Sequence, residues 1–175
     1  MGVLNSLIGF MSGLINIGKI EEIAQQETSV TAIMETAMER WLMEYIERPY
    51  WLDDHTEHSI GIAGMIAQEV SRLTLLEFEF KSIGTSDRAK WLCEQIEHSL
   101  DNLDDNLEFA LAMGGMFAKP YVKPNGDLGI DWIMQNNVYP LTDGCGEVIG
   151  AVFLSFKNIG DYIYTRLEVH KQDLS

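Results

Sequence analysis

Four histidines, His55, His58, His98 and His170, are the side chains best suited to proton or metal chemistry near neutral pH. His55 and His58 stand at i, i+3 with Asp53, Asp54 and Glu57 beside them. These are ligand types for zinc, which needs them held on a rigid frame. Here they fall in an expected polar turn, and no HExxH is present, so a surface loop is the reading. Glu94 and His98 form an i, i+4 pair on an expected helix. A di-metal carboxylate bundle needs Glu-x-x-His on two helices plus two further glutamates, and this chain has no Glu-x-x-His. Asp101, Asp104, Asp105 and Glu108 do not fit the EF-hand loop, which needs a glycine at its sixth position and a glutamate at its twelfth. They read as solvated surface. Asp127 and Asp131 are spaced for turn chemistry rather than for calcium. Phosphate-cradling glycine loops and the GxSxG elbow are missing from the sequence. Cys93, next to Trp91 and Leu92, has no base in sight to activate it. The expectation is a protein that is not an enzyme, with no catalytic residue, no metal and no cofactor.

The elements that would position these side chains follow from spacing. The chain has 175 residues, of which 46% are hydrophobic and 22% charged, ordinary for one globular domain. Its net charge is −15, which repels phosphate backbones and argues against a dedicated nucleic-acid module. Cys93 and Cys145 are too few for a disulfide scaffold and read as ordinary thiols in a reducing compartment. Residues 1–20 lack a positive n-region and a cleavage site, and polar residues and glycines interrupt them, so neither a signal peptide nor a membrane span is expected. Val3, Leu4, Leu7, Ile8, Met11, Leu14 and Ile15 instead follow helical spacing. That helix is expected to pack on a partner or neighbouring subunit, with Leu4, Leu7, Ile8 and Met11 as contacts. Trp51, after Pro49 and outside any regular element, is a further candidate contact.

Glu21–Glu27 reads as a polar connection. Ser29 or Thr31 caps a helix carrying Ile33, Met34, Ala37, Met38, Trp41, Leu42, Tyr45 and Ile46, which Pro49 ends. A helix over Ser59–Leu73 is expected to bury Ile62, Ala63, Ile66, Ala67, Val70 and Leu73, with Gly61 and Gly64 allowing close helix approach. Alternation over Thr74–Phe80 predicts a short strand. Ser86-Asp87 caps one long helix, or two joined near Leu100, ending at Gly114-Gly115. Met116–Lys123 and Leu128–Met134 flank Asn125-Gly126, a strong hairpin signal. Tyr139-Pro140-Leu141 suits an edge strand. Glu147–Lys157 and Tyr162–Lys171 complete the strands. Trp41, Trp91 and Trp132 are candidate core residues. The fold class is α+β, several amino-terminal helices followed by an antiparallel β-meander. The expected division is an amphipathic helix over 1–20, a helical part with one short strand over 21–115, and a β-rich part over 116–175.

Taken in order, these segments resemble the amino-terminal wing region of portal proteins of tailed phages, most closely those of long-tailed phages infecting Gram-positive bacteria. The resembling stretches are Pro49-Tyr50-Trp51-Leu52, Ile66 through Thr74, Ser86-Asp87-Arg88-Ala89 and Glu108 through Gly115. Phe117-Ala118-Lys119-Pro120-Tyr121, Tyr139-Pro140 and Tyr164 through His170 follow, and the Leu4–Leu14 segment is similar in character. The likeness covers nearly the whole chain, and its specificity lies in order and spacing rather than in any single piece.

The resemblance implies a structural role: a head–tail connector at one capsid vertex, in a ring that is usually dodecameric. Through such a ring a separate terminase motor packages double-stranded DNA, which is later ejected. The partners implied are other portal subunits, capsid, scaffold and terminase, with DNA only as non-specific cargo and no membrane. The location implied is the virion, and the host cytoplasm during assembly. Portals of this family are several hundred residues long, so stem, clip and crown would lie beyond Ser175. The likeness thus implies a truncated gene or a fragment, and channel-lining residues are not carried over. Two other readings stay open. One is a stand-alone prophage-derived interaction domain that captures a partner through the Val3–Ile17 helix. The other is a metal-dependent enzyme built on His55, His58 and the neighbouring acids.

Overall fold

The computed structural model describes residues 16–49, 51, 59–81 and 83–172. The apolar segment at Leu4, Leu7, Ile8 and Met11 lies outside the described residues, as do Asp53, Asp54, His55, Glu57 and His58. The fold is α+β with antiparallel sheets. The chain divides into two compact units, residues 1–41 with 135–175, and residues 42–134. The first unit is therefore built from both ends of the chain.

In the first unit, helix α1 is Ile17–Ala24, capped by Asn16, whose side chain accepts from the Lys19 amide. This corrects the expectation of a polar connection over Glu21–Glu27, whose first four residues are helical. Ile20 and Ala24, four residues apart, lie on one face and are buried. Gln25 then adopts a left-handed conformation and ends the helix. Strand β1 is the two residues Glu27–Thr28. Helix α2, Ala32–Tyr45, begins where Thr31 Oγ1 accepts from the Met34 amide, so Thr31 is the cap. The unit is completed by a 3₁₀ turn, Gln135–Asn137, and strands β4 (Val138–Thr142), β5 (Val148–Ile159) and β6 (Tyr162–Lys171).

The four strands run in the order β1-β4-β5-β6, all antiparallel. Tyr139-Pro140-Leu141 is thus interior, where an edge strand was expected. The proline fits because β1 pairs with only Leu141 and Thr142. In an antiparallel ladder a residue's N–H and C=O point to the same side. The Pro140 carbonyl accepts from the Ser29 amide and from Thr28 Oγ1, on the β1 side. The missing donor therefore falls just past the end of β1, where no strand requires it. The core comprises Ile20, Ala24, Val30 and Met38 from the amino-terminal segment with Tyr139, Leu141, Val152 and Leu154 from the sheet. Asp143–Gly146 forms the β4–β5 turn, in which Asp143 Oδ1 accepts from the amides of Cys145 and Glu147. Gly160, at φ +60°, opens the two-residue loop into β6.

The second unit holds the last turn of α2, helices α3 (Ile62–Leu75), α4 (Asp87–Ser99) and α5 (Leu103–Met113), and strands β2 (Met116–Val122) and β3 (Leu128–Met134). Helix α2 stops before Pro49 is reached. The Arg48 amide bonds the Met43 carbonyl and the Glu47 amide the Glu44 carbonyl, with Glu47 left-handed at φ 62°. That is a Schellman stop with glutamate in the usual glycine position. Ser86 caps α4 and Gly114 caps α5, and the run from 87 to 113 is two helices rather than one. Strands β2 and β3 pair throughout, and Asn125 and Asp127 bond one another across the Lys123–Asp127 turn. Asp131 pairs with Lys119 directly across the ladder at 3.6 Å, opposite charges on facing strands.

The strand expected over Thr74–Phe80 does not form. Helix α3 runs to Leu75, and Glu77–Phe80 pairs with nothing described. Alternation alone cannot hold a strand without a neighbour to accept its hydrogen bonds.

Candidate functional site

The surface with the clearest departure from ordinary packing is α3. Its large apolar residues Ile62, Met65, Ile66, Val70 and Leu73, with Leu76 just beyond, are all exposed; Ile66 keeps 58% of its surface and Leu73 52%. The residues that pack inward are small. Ala67 and Ser71 are buried, and Ser71 Oγ donates to the Asp104 carbonyl of α5 at 2.8 Å. A Cβ on Gly64 would sit 3.5 Å from the Tyr45 carbonyl, at the end of α2. At 100° per residue, the Gly64–Ala67–Ser71 side lies opposite the Ile62–Ile66–Leu73 side. The expected core stripe is thus mostly corrected: only Ala67 of it is buried. Small residues win the inward position because they let two backbones approach, and the bulky side chains are left outward. The expected close approach at Gly64 is present.

Helix α4 repeats the theme, with no buried residue at all. Trp91 and Leu92 are exposed, as is Trp41 on α2, which corrects the expectation that Trp41 and Trp91 are core. Trp132 is half-buried and its indole N–H donates to the Ser99 carbonyl at 3.0 Å, joining β3 to α4. Gln95 does the same from the other side, accepting the Leu128 amide. Trp51 keeps 56% of its surface exposed.

The titratable groups do not assemble into a catalytic arrangement among the described residues. No group of three or more histidine, cysteine, aspartate or glutamate side chains there could hold a metal. Glu94 and His98 are both exposed on α4. Cys93 Sγ lies 3.8 Å from Glu97 Oε1, and Cys145 is exposed in the β4–β5 turn. An open depression in the first unit is lined by Glu21, Gln25, Gln26, Glu27, Thr142, Asp143 and Gly144. Two of its three acids serve the backbone, since Glu21 accepts the Thr28 amide and Asp143 caps its own turn. No described helix is long and apolar enough to cross a membrane.

Two tyrosine–glutamate pairs instead tie each unit together. In the first unit, Tyr139 Oη donates to Glu35 Oε1 at 2.8 Å, joining β4 to α2. In the second, Tyr45 Oη donates to Glu108 Oε1 at 2.6 Å, and the Tyr45 ring meets Phe109 edge-on at 5.6 Å. Glu108 is therefore half-buried and bonded, not the solvated acid expected from its cluster. Burial and then the neighbouring carboxylate push both phenols well above the ordinary tyrosine range. A native pKa above the unfolded one gives stability that is complete below the unfolded value of about 10 and is lost as pH rises beyond it. We expect Tyr139→Phe to cost about 1.5 kcal/mol at neutral pH, because Glu35 loses its donor. Tyr139→Phe should also weaken the alkaline loss of stability, read by urea unfolding at stepped pH. An alkaline limb unchanged in both Tyr139→Phe and Tyr45→Phe would refute this.

The geometry defines an α+β protein of two units whose distinctive surface is apolar and helical rather than polar and concave. No protein family, curated protein or solved structure matches the chain.

Proposed function

We propose that this chain is a structural assembly component resembling the wing region of a phage portal, part of the ring through which DNA is packaged and ejected. The observation that carries this reading is the outward apolar face of α3. A face of six large aliphatic side chains standing on a small-residue seam is costly to leave in water, at about 25 cal/mol per Å² of apolar surface. Contiguous exposed patches of this kind mark contact sites. The order of the portal-like segments supports the same reading, because the Ile66–Thr74 stretch supplies Ile66, Val70 and Leu73 of this face. The α+β architecture accords with it. The net charge of −15 accords with DNA as non-specific cargo rather than as a bound ligand. The chain acts in this reading by contact, with no catalytic step.

The test is absolute mass by light scattering behind a sizing column, for the parent chain and for Ile66→Glu. Ile66 is exposed, so the substitution should change folding stability by less than about 0.5 kcal/mol. The expected result is a discrete closed assembly, ring-shaped by negative-stain imaging, that Ile66→Glu dissociates. A mass that Ile66→Glu leaves unchanged would reject an assembly role for α3.

A further inference from the structure

Strand β6, Tyr162–Lys171, is the open edge of the four-stranded sheet. It pairs with β5 along its length, and no described strand lies on its other side. The other edge is different, since β1 is only two residues long. Long, flat edges are normally blunted by bulges, prolines or inward charges, because their free N–H and C=O groups recruit another strand. β6 contains no proline, its pairing with β5 shows no register shift, and its one charge on the core face, Lys171, stands at the end of the strand, where it donates to the Ala24 carbonyl.

The direction of the free groups follows from one bond. The Gln172 amide donates to the Ile149 carbonyl at 2.8 Å, so even-numbered positions point toward β5. The odd positions Ile163, Thr165, Leu167, Val169 and Lys171 therefore turn their N–H and C=O groups outward. They also carry side chains on the sheet's core face, where β5 places Val152 and Leu154. Val169, on that face, is exposed at the edge.

Charge then selects the occupant and the register. We propose that β6 pairs antiparallel with β6 of a second copy of this chain, about a two-fold axis through Leu167. In that register every outward backbone group from Ile163 to Lys171 meets its partner. Arg166 stands opposite Glu168 of the second copy, and Glu168 opposite Arg166. These are non-hydrogen-bonded positions, where side chains come closest. Sliding by one pairing step in one direction sets Arg166 against Arg166, and in the other sets Glu168 against Glu168. Both put like charges directly opposite, so of these three registers only the Leu167-centred one is complementary. Within one strand Arg166 and Glu168 already lie 3.4 Å apart on the same face, so pairing would close a four-charge cluster. A two-fold contact closes after two copies and uses the same patch on both. It is thus independent of the ring reading, which needs a head-to-tail contact.

The test is solution mass as a function of protein concentration, made in both the parent and the Ile66→Glu background so that the helical and strand contacts fail separately. The expected result in the Ile66→Glu background is a species of twice 19.8 kDa that grows with concentration. Thr165→Pro should return it to a single chain, because the lost N–H points outward and the ladder to β5 keeps all its donors. Arg166→Glu and Glu168→Arg should each weaken pairing at least tenfold, and the double exchange should restore it. A single-chain mass at every concentration overturns the proposal. So does a two-chain species that survives Thr165→Pro, and failure of the double exchange to rescue overturns the register.

Discussion

Leu141→Ala will lower the unfolding free energy of the first unit by about 3 kcal/mol, the middle of the range for deleting a fully enclosed leucine. Leu141 has no exposed surface. It lies in β4, opposite Gly150 of β5 on one side and Thr28 of β1 on the other. The residue opposite in β5 is a glycine with no side chain to move into the space, so the cavity stays largely open. The cost combines lost transfer energy with an unrelaxed void. Ile33→Ala is the matched control, because Ile33 is 82% exposed on α2 and should cost less than about 0.5 kcal/mol. Far-UV circular dichroism in urea gives the global change, and hydrogen exchange at the β5 amides locates it. A loss at Leu141 below about 1 kcal/mol would mean that the sheet is not held by this core.

Gly150→Ala should be of similar size, for the opposite reason. A Cβ there would lie only 2.2 Å from the His170 carbonyl oxygen and 3.0 Å from the Lys171 Cα. Both obstacles are backbone, so no rotamer change relieves them, and β5 and β6 must part locally. Overpacking of this kind costs about 3 kcal/mol at its upper range. The position also adjoins the irregularity where Leu141 faces Gly150 but Thr142 faces Val148. Gly129 is a gentler case, because the atoms in the way are the far end of the Tyr121 ring, which can swing outward. Gly144→Ala should be neutral or slightly stabilising, since nothing lies within 4 Å of the added methyl and the unfolded chain loses freedom. Equal melting points for Gly150→Ala and Gly144→Ala would contradict this account.

Together these substitutions separate what holds the sheet from what the sheet and helices offer to other molecules. Leu141, Gly150 and Tyr139 act inside the first unit. Ile66 and the β6 edge act outside the folded chain and should leave its melting almost unchanged. A variant that changes mass but not stability is the mark of a contact residue.

The features readable from sequence were those set within a few residues. Thr31, Ser86 and Gly114 bound their helices through caps that need only the adjacent turn. Pro124–Asp127 makes its hairpin from the turn's own side chains. Helix α1 escaped because Glu21, Glu22 and Gln25 mask a short stripe, although Asn16, Ile20 and Ala24 at cap and helical spacing were the available signal. The Leu76, Phe78 and Phe80 alternation misled because no strand came to pair with it. Of the contacts expected from sequence, Leu4, Leu7, Ile8 and Met11 lie outside the described residues, and Trp51 is exposed. The α3 face and the β6 edge were not foreseen as surfaces.

Dihedral preference and hydrophobic period act locally, so the α+β class, the order of most elements and the turns follow from the residues alone. Packing between segments distant in the chain was needed to bring residues 16–41 and 135–172 into one sheet-bearing unit, to place Pro140 inside the sheet, and to turn the small side of α3 inward. Hydrophobic period reveals that a helix has an apolar face but not what covers it. That depends on which neighbour approaches closely enough, and at α3 it is the seam of Gly64, Ala67 and Ser71 that admits one.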